Sequence, residues 1–409
     1  MKFNKWTVAL ASIGVVSLAS AARADEAAPT MHQVQTALSS TTLSGYVDTA
    51  ATWRPGTDTN PQSAGTYMPG YAYAKDDGFS LNSVDLAIDH PEDESPWAAG
   101  YHVELMMGPD SAGYGFGTAA TIRQAYLTLR TPVGNGIDWK VGVWDTIVGY
   151  ESNSDPLNPN YTRSYGYTIE PTTHIGILAT YKINDIVTVQ AGIADDSNVA
   201  GPGVVNGTGT SGVESQKAYM GDVQFTAPDS AGFMKGATLT VAVIDQAGHG
   251  GAGSADPGST SFYAGATIPT PMSALKVGAC FDYLDIHDDY TVGAVHNNND
   301  SVWNIALYST IQATDKLSFN LRAEYLDAMA LGDGDGAAIF AGNSAAGYDR
   351  NTAEEFTATM QYNLWANVIS RVEFRWDHLE HFKDFGANSA GGPFRNNDFL
   401  LALNLIYQF

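Results

Sequence analysis

The chain has 409 residues and a formal net charge of -24, with 44 Asp and Glu against 20 Lys and Arg. That balance argues against nucleic acid as a partner, because phosphates are held by clustered Lys and Arg that displace counterions. A single cysteine, Cys280, excludes an intramolecular disulfide framework, and no later stretch is long and apolar enough for a membrane-spanning helix of about 20 residues.

Lys2 and Lys5, an apolar run from Trp6 to Leu18, and Ala22-Arg23-Ala24 have the charge, core and small-residue pattern of a secretory signal. Cleavage is expected after Ala24, so residues 1–24 are a signal peptide and residues 25–41 a short periplasmic segment, with a brief helix around Met31 to Leu38. Loss of the signal removes three basic residues and no acid, which makes the mature chain still more acidic. No linker divides the rest of the chain, and residues 42–409 are expected to be one domain.

From Leu43 onward apolar and polar residues alternate in stretches of roughly ten, the period of a strand with one face in lipid and one in water. In the first, Leu43, Val47, Ala51 and Trp53 share one face while Ser44, Asp48 and Thr52 share the other. The pattern recurs at Val84 to His90, Ala99 to Met107, Gln124 to Thr131, Ile137 to Ile147, His174 to Ile183, Val187 to Ala194 and Ala218 to Phe225. It continues at Ala237 to Asp245, Thr260 to Ile268, Leu275 to Asp285, Val302 to Ile311, Leu317 to Asp327, Phe356 to Tyr362, Val368 to His378 and Phe399 to Phe409. The fold class is therefore all-β: a transmembrane antiparallel up-and-down β-barrel of about 16 strands.

Short connections such as Asn184-Asp185, Thr270 to Ala274, Ala313 to Lys316 and Asn363 to Ala366 alternate with long Gly-, Asn-, Asp- and Ser-rich ones. This predicts periplasmic turns at one end and external loops at the other. Trp139, Tyr181, Tyr362, Tyr407 and Phe409 fall near the periplasmic strand ends, and Trp53, Trp303, Tyr325 and Trp376 near the external ends, as two interfacial girdles would require. The last strand carries Leu401, Leu403, Leu405 and Tyr407 at two-residue spacing and ends on Phe409, like the C-terminal assembly signal of outer-membrane barrels. Pairing it with the Leu43 strand would leave no open edge in lipid.

The connection between the fifth and sixth strands, Gly149 to Thr173, is long and carries Glu151, Asp155, Arg163 and Glu170. Its position predicts an inward-folded loop that narrows a water path; the competing reading is an external loop with solvated charges. On late strands Arg322 and Glu324, then Glu355, then Arg371, Glu373, Arg375 and Asp377 all project inward by parity. They could set a transverse field against the loop or fill the lumen as a structural ion-pair network. Further inward candidates are His102, Glu104, Gln124, Arg130, Lys140, Lys276, Cys280 and Asp282.

Asp285, His287, Asp288 and Asp289, then Asp333 and Asp335, then His378 and His381 form no calcium-loop or zinc pattern, so no metal and no cofactor are expected. Divalent cations could still bridge such acidic loops to lipopolysaccharide. Asn206-Gly207-Thr208 fits a glycosylation sequon that carries little meaning in a bacterial protein. No nucleophile elbow, phosphate-binding loop or metalloprotease helix motif is present, and no enzyme activity is expected.

Leu43 to Thr49, Val141 to Glu151, Arg322 to Tyr325 and Arg371 to His378 resemble the OmpL-like family of outer-membrane β-barrel porins. Asn158 to Tyr165 and Glu170 to Gly176 are similar to that family's long loop and following strand, and the resemblance spans most of the mature chain. It implies an outer-membrane channel; the expected role is a water-filled pore for small hydrophilic solutes and ions, and analogy with sixteen-stranded porins makes a homotrimer the expected assembly. Where relatives often carry a basic residue this chain has Val143, which bears on ion preference. The alternatives are a structural or adhesive barrel with an occluded lumen and, behind it, an outer-membrane hydrolase.

Overall fold

A computed structural model describes residues 41–55, 77–114, 120–195, 217–246, 258–287, 291–292, 295–296, 300–329, 350–380 and 395–409. The expected signal peptide, the helix around Met31 to Leu38, the sequon at Asn206, and Asp288, Asp289, Asp333, Asp335 and His381 lie outside them. Eighteen strands are described. The first eleven are β1 (Thr42–Trp53), β2 (Gly78–His90), β3 (Ala99–Met107), β4 (Ala120–Thr131), β5 (Ile137–Asp145), β6 (Thr173–Lys182), β7 (Val187–Ala194), β8 (Ala218–Thr226), β9 (Thr238–Gln246), β10 (Gly258–Pro269) and β11 (Leu275–His287). Then come the short pair β12 (Thr291–Val292) and β13 (Val295–His296), followed by β14 (Asp300–Gln312), β15 (Leu317–Met329), β16 (Arg350–Trp365), β17 (Val368–Leu379) and β18 (Asn397–Gln408).

Sixteen of them, all but β12 and β13, form one closed antiparallel barrel in which each strand pairs with its chain neighbour and β1 pairs with β18. At that seam Tyr46 lies opposite Gln408 and Trp53 opposite Leu401. Phe409 and Gly45 exchange backbone hydrogen bonds at 3.0 and 3.1 Å, so no donor or acceptor row is left open there.

Alternation decides which face is which. On β18 Phe399, Leu401, Leu403, Leu405 and Tyr407 are exposed while Leu400, Ala402, Asn404 and Ile406 are buried. On β17 Val372 and Phe374 are exposed, whereas Arg371, Glu373, Arg375 and Asp377 are buried. An outer surface of exposed Leu, Val, Ile and Phe beside a buried interior of charge is the reverse of a water-soluble domain and suits hydrocarbon outside. Aromatics join across neighbouring strands on that face: Phe262 meets Phe281, Phe281 meets Trp303 and Trp303 meets Tyr325, at ring separations of 6.3, 6.4 and 5.5 Å.

Several strand limits differ from the sequence expectation. β2 begins at Gly78 rather than Val84, and β16 runs from Arg350 to Trp365 rather than Phe356 to Tyr362. Both differences involve register breaks that mask the alternation, at Asp48/Thr49 opposite β2 and at Asn363/Trp365 in β16. β5 stops at Asp145 rather than Ile147: on the β4 side the Asp145 amide donates to the Gln124 side chain in place of a backbone carbonyl, and only one further bond to the β6 side, Thr146 amide to Thr172 O, follows. The segment between β5 and β6 is thus residues 146–172.

Candidate functional site: the segment clamped to the inner wall

The 146–172 segment is shaped locally by its own side chains. Gly149 takes φ +106°, a left-handed conformation that glycine adopts without a Cβ clash. Asn158 folds the next turn, accepting the Ser152 amide at 2.7 Å and donating to Ser152 O at 2.7 Å and Ser154 O at 3.0 Å. Pro156 sits in the first turn of a short 3-10 helix, where its missing N–H costs nothing. Ser164 caps a five-residue helix, α1 (Tyr165–Ile169), by accepting the Tyr167 amide at 3.0 Å.

This segment is bonded to inward-facing side chains of the barrel. Arg322 on β15 donates to Glu151 at 2.8 Å and to Thr162 O at 2.8 Å, while its other nitrogens reach Glu355 at 3.2 and 3.3 Å and Thr357 at 3.3 Å. One guanidinium therefore joins the segment to two strands, using the planar fork that lysine lacks. Arg371 donates to Asn158 O at 2.6 Å, Asp155 O at 3.3 Å and the Gln361 side chain at 2.9 Å. Arg375 binds Asp377 at 2.7 Å, donates to Arg163 O at 2.6 Å and lies over the Tyr165 ring at 5.4 Å.

The carboxylates take the segment's amides. Glu373 accepts from the Tyr161 and Thr162 amides at 2.5 and 2.9 Å and from the hydroxyls of Thr162 and Thr359, each at 2.7 Å. Glu324 accepts from the Tyr165 amide at the start of α1 at 2.9 Å and from Asn304 at 3.1 Å. The Tyr165 hydroxyl donates to Asp377 at 2.7 Å. Asp155 is held from both sides, by Arg163 at 2.6 Å and by the Ser83 hydroxyl at 2.8 Å.

Ten of the eleven residues singled out from the sequence are therefore joined in this latch. The other, Glu170, lies apart from the arginines, beside Gly149 and facing Asp282. The arginines are each engaged by carboxylates or carbonyls, and Arg322 and Arg375 have no exposed side-chain surface. Other candidates form local pairs. His102 lies 3.2 Å from Asp89 and 3.3 Å from Glu104, Arg130 pairs with Asp138, and the Lys140 ammonium sits over the Tyr126 ring at 4.5 Å.

Residues that sequence reasoning missed sit where strand parity breaks. On β4 Glu104 lies opposite Gln124 but Leu105 opposite Ile122, so Arg123 is an extra residue turned inward beside Gln124. Arg123 pairs with Glu104 and with Asp145 at 2.7 Å, and Asn153 of the segment donates to the same Asp145 carboxylate at 3.0 Å. On β2 the same device makes Asn82 and Ser83 inward neighbours; Asn82 donates to Asp48 at 2.7 Å and Ser83 reaches Asp155. Tyr150 is also missed: it stacks on Tyr308 with centroids 4.1 Å apart, and its hydroxyl lies 3.0 Å from that of Thr267. A Cβ on Gly278 would overlap that tyrosine hydroxyl, so the glycine is the socket for the ring.

A closed sixteen-stranded barrel, apolar outside and charged inside, with the segment after its fifth strand bonded to the inner wall, defines a protein of the outer-membrane porin class. The chain belongs to the family described as "Putative beta-barrel porin-2, OmpL-like", which matches residues 40–409. It is an outer-membrane channel protein. Salmonella typhi OmpF in complex with daunomycin is similar in structure, with a TM-score of 0.58 at 14% identity over 90% of this chain and 97% of that one. The anion-selective porin of Comamonas acidovorans gives 0.57 at 13% identity, over 90% and 99% of the two chains. In-vitro folded OmpT of Vibrio cholerae, in its trimer form, gives 0.55 at 12% identity, over 90% and 99%. At such identities the likeness concerns the fold. No curated protein sequence matches the chain.

Proposed function

We propose that this porin passes small hydrophilic solutes and ions by passive diffusion, that the 146–172 segment is its constriction, and that it catalyses no reaction. The supporting observation is the latch itself: its bonds reach inward-facing side chains of β2, β5, β10, β15 and β17, which holds irregular backbone against the inner wall. The residues proposed to line and hold this constriction are Glu151, Asp155, Arg163, Glu170, Arg322, Glu324, Glu355, Arg371, Glu373, Arg375 and Asp377.

Because the arginines are engaged by acids and carbonyls of the latch, they present little unpaired positive charge to a passing ion. The formal net charge of -24 then tips the channel toward cations. Assembly as a homotrimer and contact of the outer rim with lipopolysaccharide are part of the same proposal. Planar-bilayer recording with a salt gradient tests it: stepwise conductance with a cation-selective reversal potential is expected. Silence in the bilayer would favour an occluded barrel, and a reversal potential unchanged on replacing Arg322, Arg371 and Arg375 would remove these residues from the path.

A further inference from the structure

Where the segment returns to the wall, α1 ends at Glu170, whose carboxylate faces Asp282 on β11. Glu170, Asp282 and Ser261 of β10 border a small cavity of about 10 Å³, which Val148, Ile169 and Tyr263 also line. That is room for about one water-sized body. The three residues are 8, 2 and 5% exposed, respectively. The Ser261 hydroxyl and one Asp282 carboxylate oxygen are buried without any hydrogen-bond partner. The other Asp282 oxygen meets the Cys280 thiol at 3.5 Å, and the Glu170 and Asn304 side chains also reach the Asp282 carboxylate.

Charge balance makes the same demand. Glu151, Glu170, Asp282, Glu324, Glu355 and Asp377 lie together in this part of the interior, against the guanidiniums of Arg322 and Arg375. Arg163 and Arg371 are occupied by Asp155 and by carbonyls on the far side of the latch. Buried carboxylates in excess of their counter-ions cost several kcal/mol each. A water molecule in the cavity would satisfy hydrogen-bond acceptors and leave the charge; a proton shared by Glu170 and Asp282 would remove one charge and leave Ser261 unmet. A divalent cation meets Ser261 and also offsets two of the excess negative charges.

We infer that Glu170, Asp282 and Ser261 form a binding site for a hard cation of the calcium type, which ties the end of the 146–172 segment to β10 and β11. All the donor atoms are oxygen, two carboxylates supply up to four of them, and the set suits calcium or magnesium over a thiophilic metal. Among the described residues, no group of three or more His, Cys, Asp or Glu side chains is gathered as a metal site, so this one depends on the hydroxyl as well as two acids. Sequence spacing conceals it, because its three donors come from the segment and two separate strands.

The test uses the full barrel purified in detergent and stripped of metal. Terbium is the probe, since Tyr263 at the cavity wall can sensitise its luminescence, and calcium is the competitor. A saturable signal displaced by calcium is expected, together with a calcium-dependent rise in melting temperature that EDTA reverses. Glu170→Gln and Asp282→Asn should lose both, and Ser261→Ala, which keeps the charge and the fold, should weaken binding about tenfold or more. Asp229→Asn, in an exposed turn, should change neither. Equal terbium and calcium responses in Ser261→Ala and the parent would overturn the inference. So would a melting temperature that rises on acidification and ignores calcium and EDTA, the mark of a shared proton.

Discussion

Arg322→Met keeps most of the side-chain volume and removes the guanidinium that joins the segment to β15 and β16. The substitution leaves Glu151, Glu324 and Glu355, whose side chains are 1, 0 and 0% exposed, without their nearest counter-charge. It also strips the charged donor from Thr162 O. Removing one partner of a buried ion pair costs about 3–5 kcal/mol, and the lost carbonyl bond overlaps with that figure instead of adding to it. Urea-dependent folding into lipid vesicles should therefore show a loss of this size. Single-channel recordings should become noisier, because the segment loses its charged anchor at Glu151 and Thr162, where only the bonds from Tyr308 to Glu151 and from Thr162 to Glu373 remain. Arg322→Lys should recover part of the stability, since the charge returns without the fork. Adding Glu151→Gln to Arg322→Met should soften the loss by removing one stranded charge. A loss under about 1 kcal/mol with an unchanged conductance trace would refute the latch as the segment's support, because surface pairs already account for that much.

Gly278→Val should push the Tyr150 ring off Tyr308 and cost about 1–3 kcal/mol by overpacking, read as a shifted urea midpoint, with partial rescue by Tyr150→Phe. Leu403→Arg, in the middle of β18 and 59% exposed, should lower folding stability in bilayers by about 2–4 kcal/mol, while the penalty in short-chain detergent is smaller. Glu92, in the turn between β2 and β3, is pushed up to about 7 by burial and by the charge of Asp138. Its folded form holds a proton that the unfolded chain releases near the ordinary 4.5, so stability should fall as pH rises from about 4.5 to 7 and then level off. Glu92→Gln should flatten that slope, match the parent at pH 4 and exceed it at pH 8 in melting experiments.

The barrel was legible because lipid outside and charge inside enforce a two-residue period that short apolar side chains reveal directly. Leu401, Leu403, Leu405 and Tyr407 are all exposed as that period requires, and Arg322, Glu324, Glu355, Arg371, Glu373, Arg375 and Asp377 all turn inward. The same period failed at Asn82 and Arg123, where an extra residue shifts the register and puts two consecutive side chains inside. The acids and arginines of the site were visible, but their partners were not: the bonds from Arg371 to Asn158 and from Tyr165 to Asp377 cross more than two hundred positions. No local pattern encodes such pairs. Among the described residues the arginines are bonded into a network of acids and carbonyls, and it is those distances that the sequence does not carry.

The seam has a consequence for how the chain reaches this shape. Asn404 on β18 donates to Asp48 on β1 across 356 positions, so the cylinder cannot shut until almost everything between them has been delivered. Until then both margins of a growing sheet stay unpaired, and such long-range joining is slow because the entropy of bringing distant segments together comes first. A polypeptide with this wiring has to cross the envelope as an open, adhesive strand-former, and its safe arrival depends on whatever shields those margins during transit.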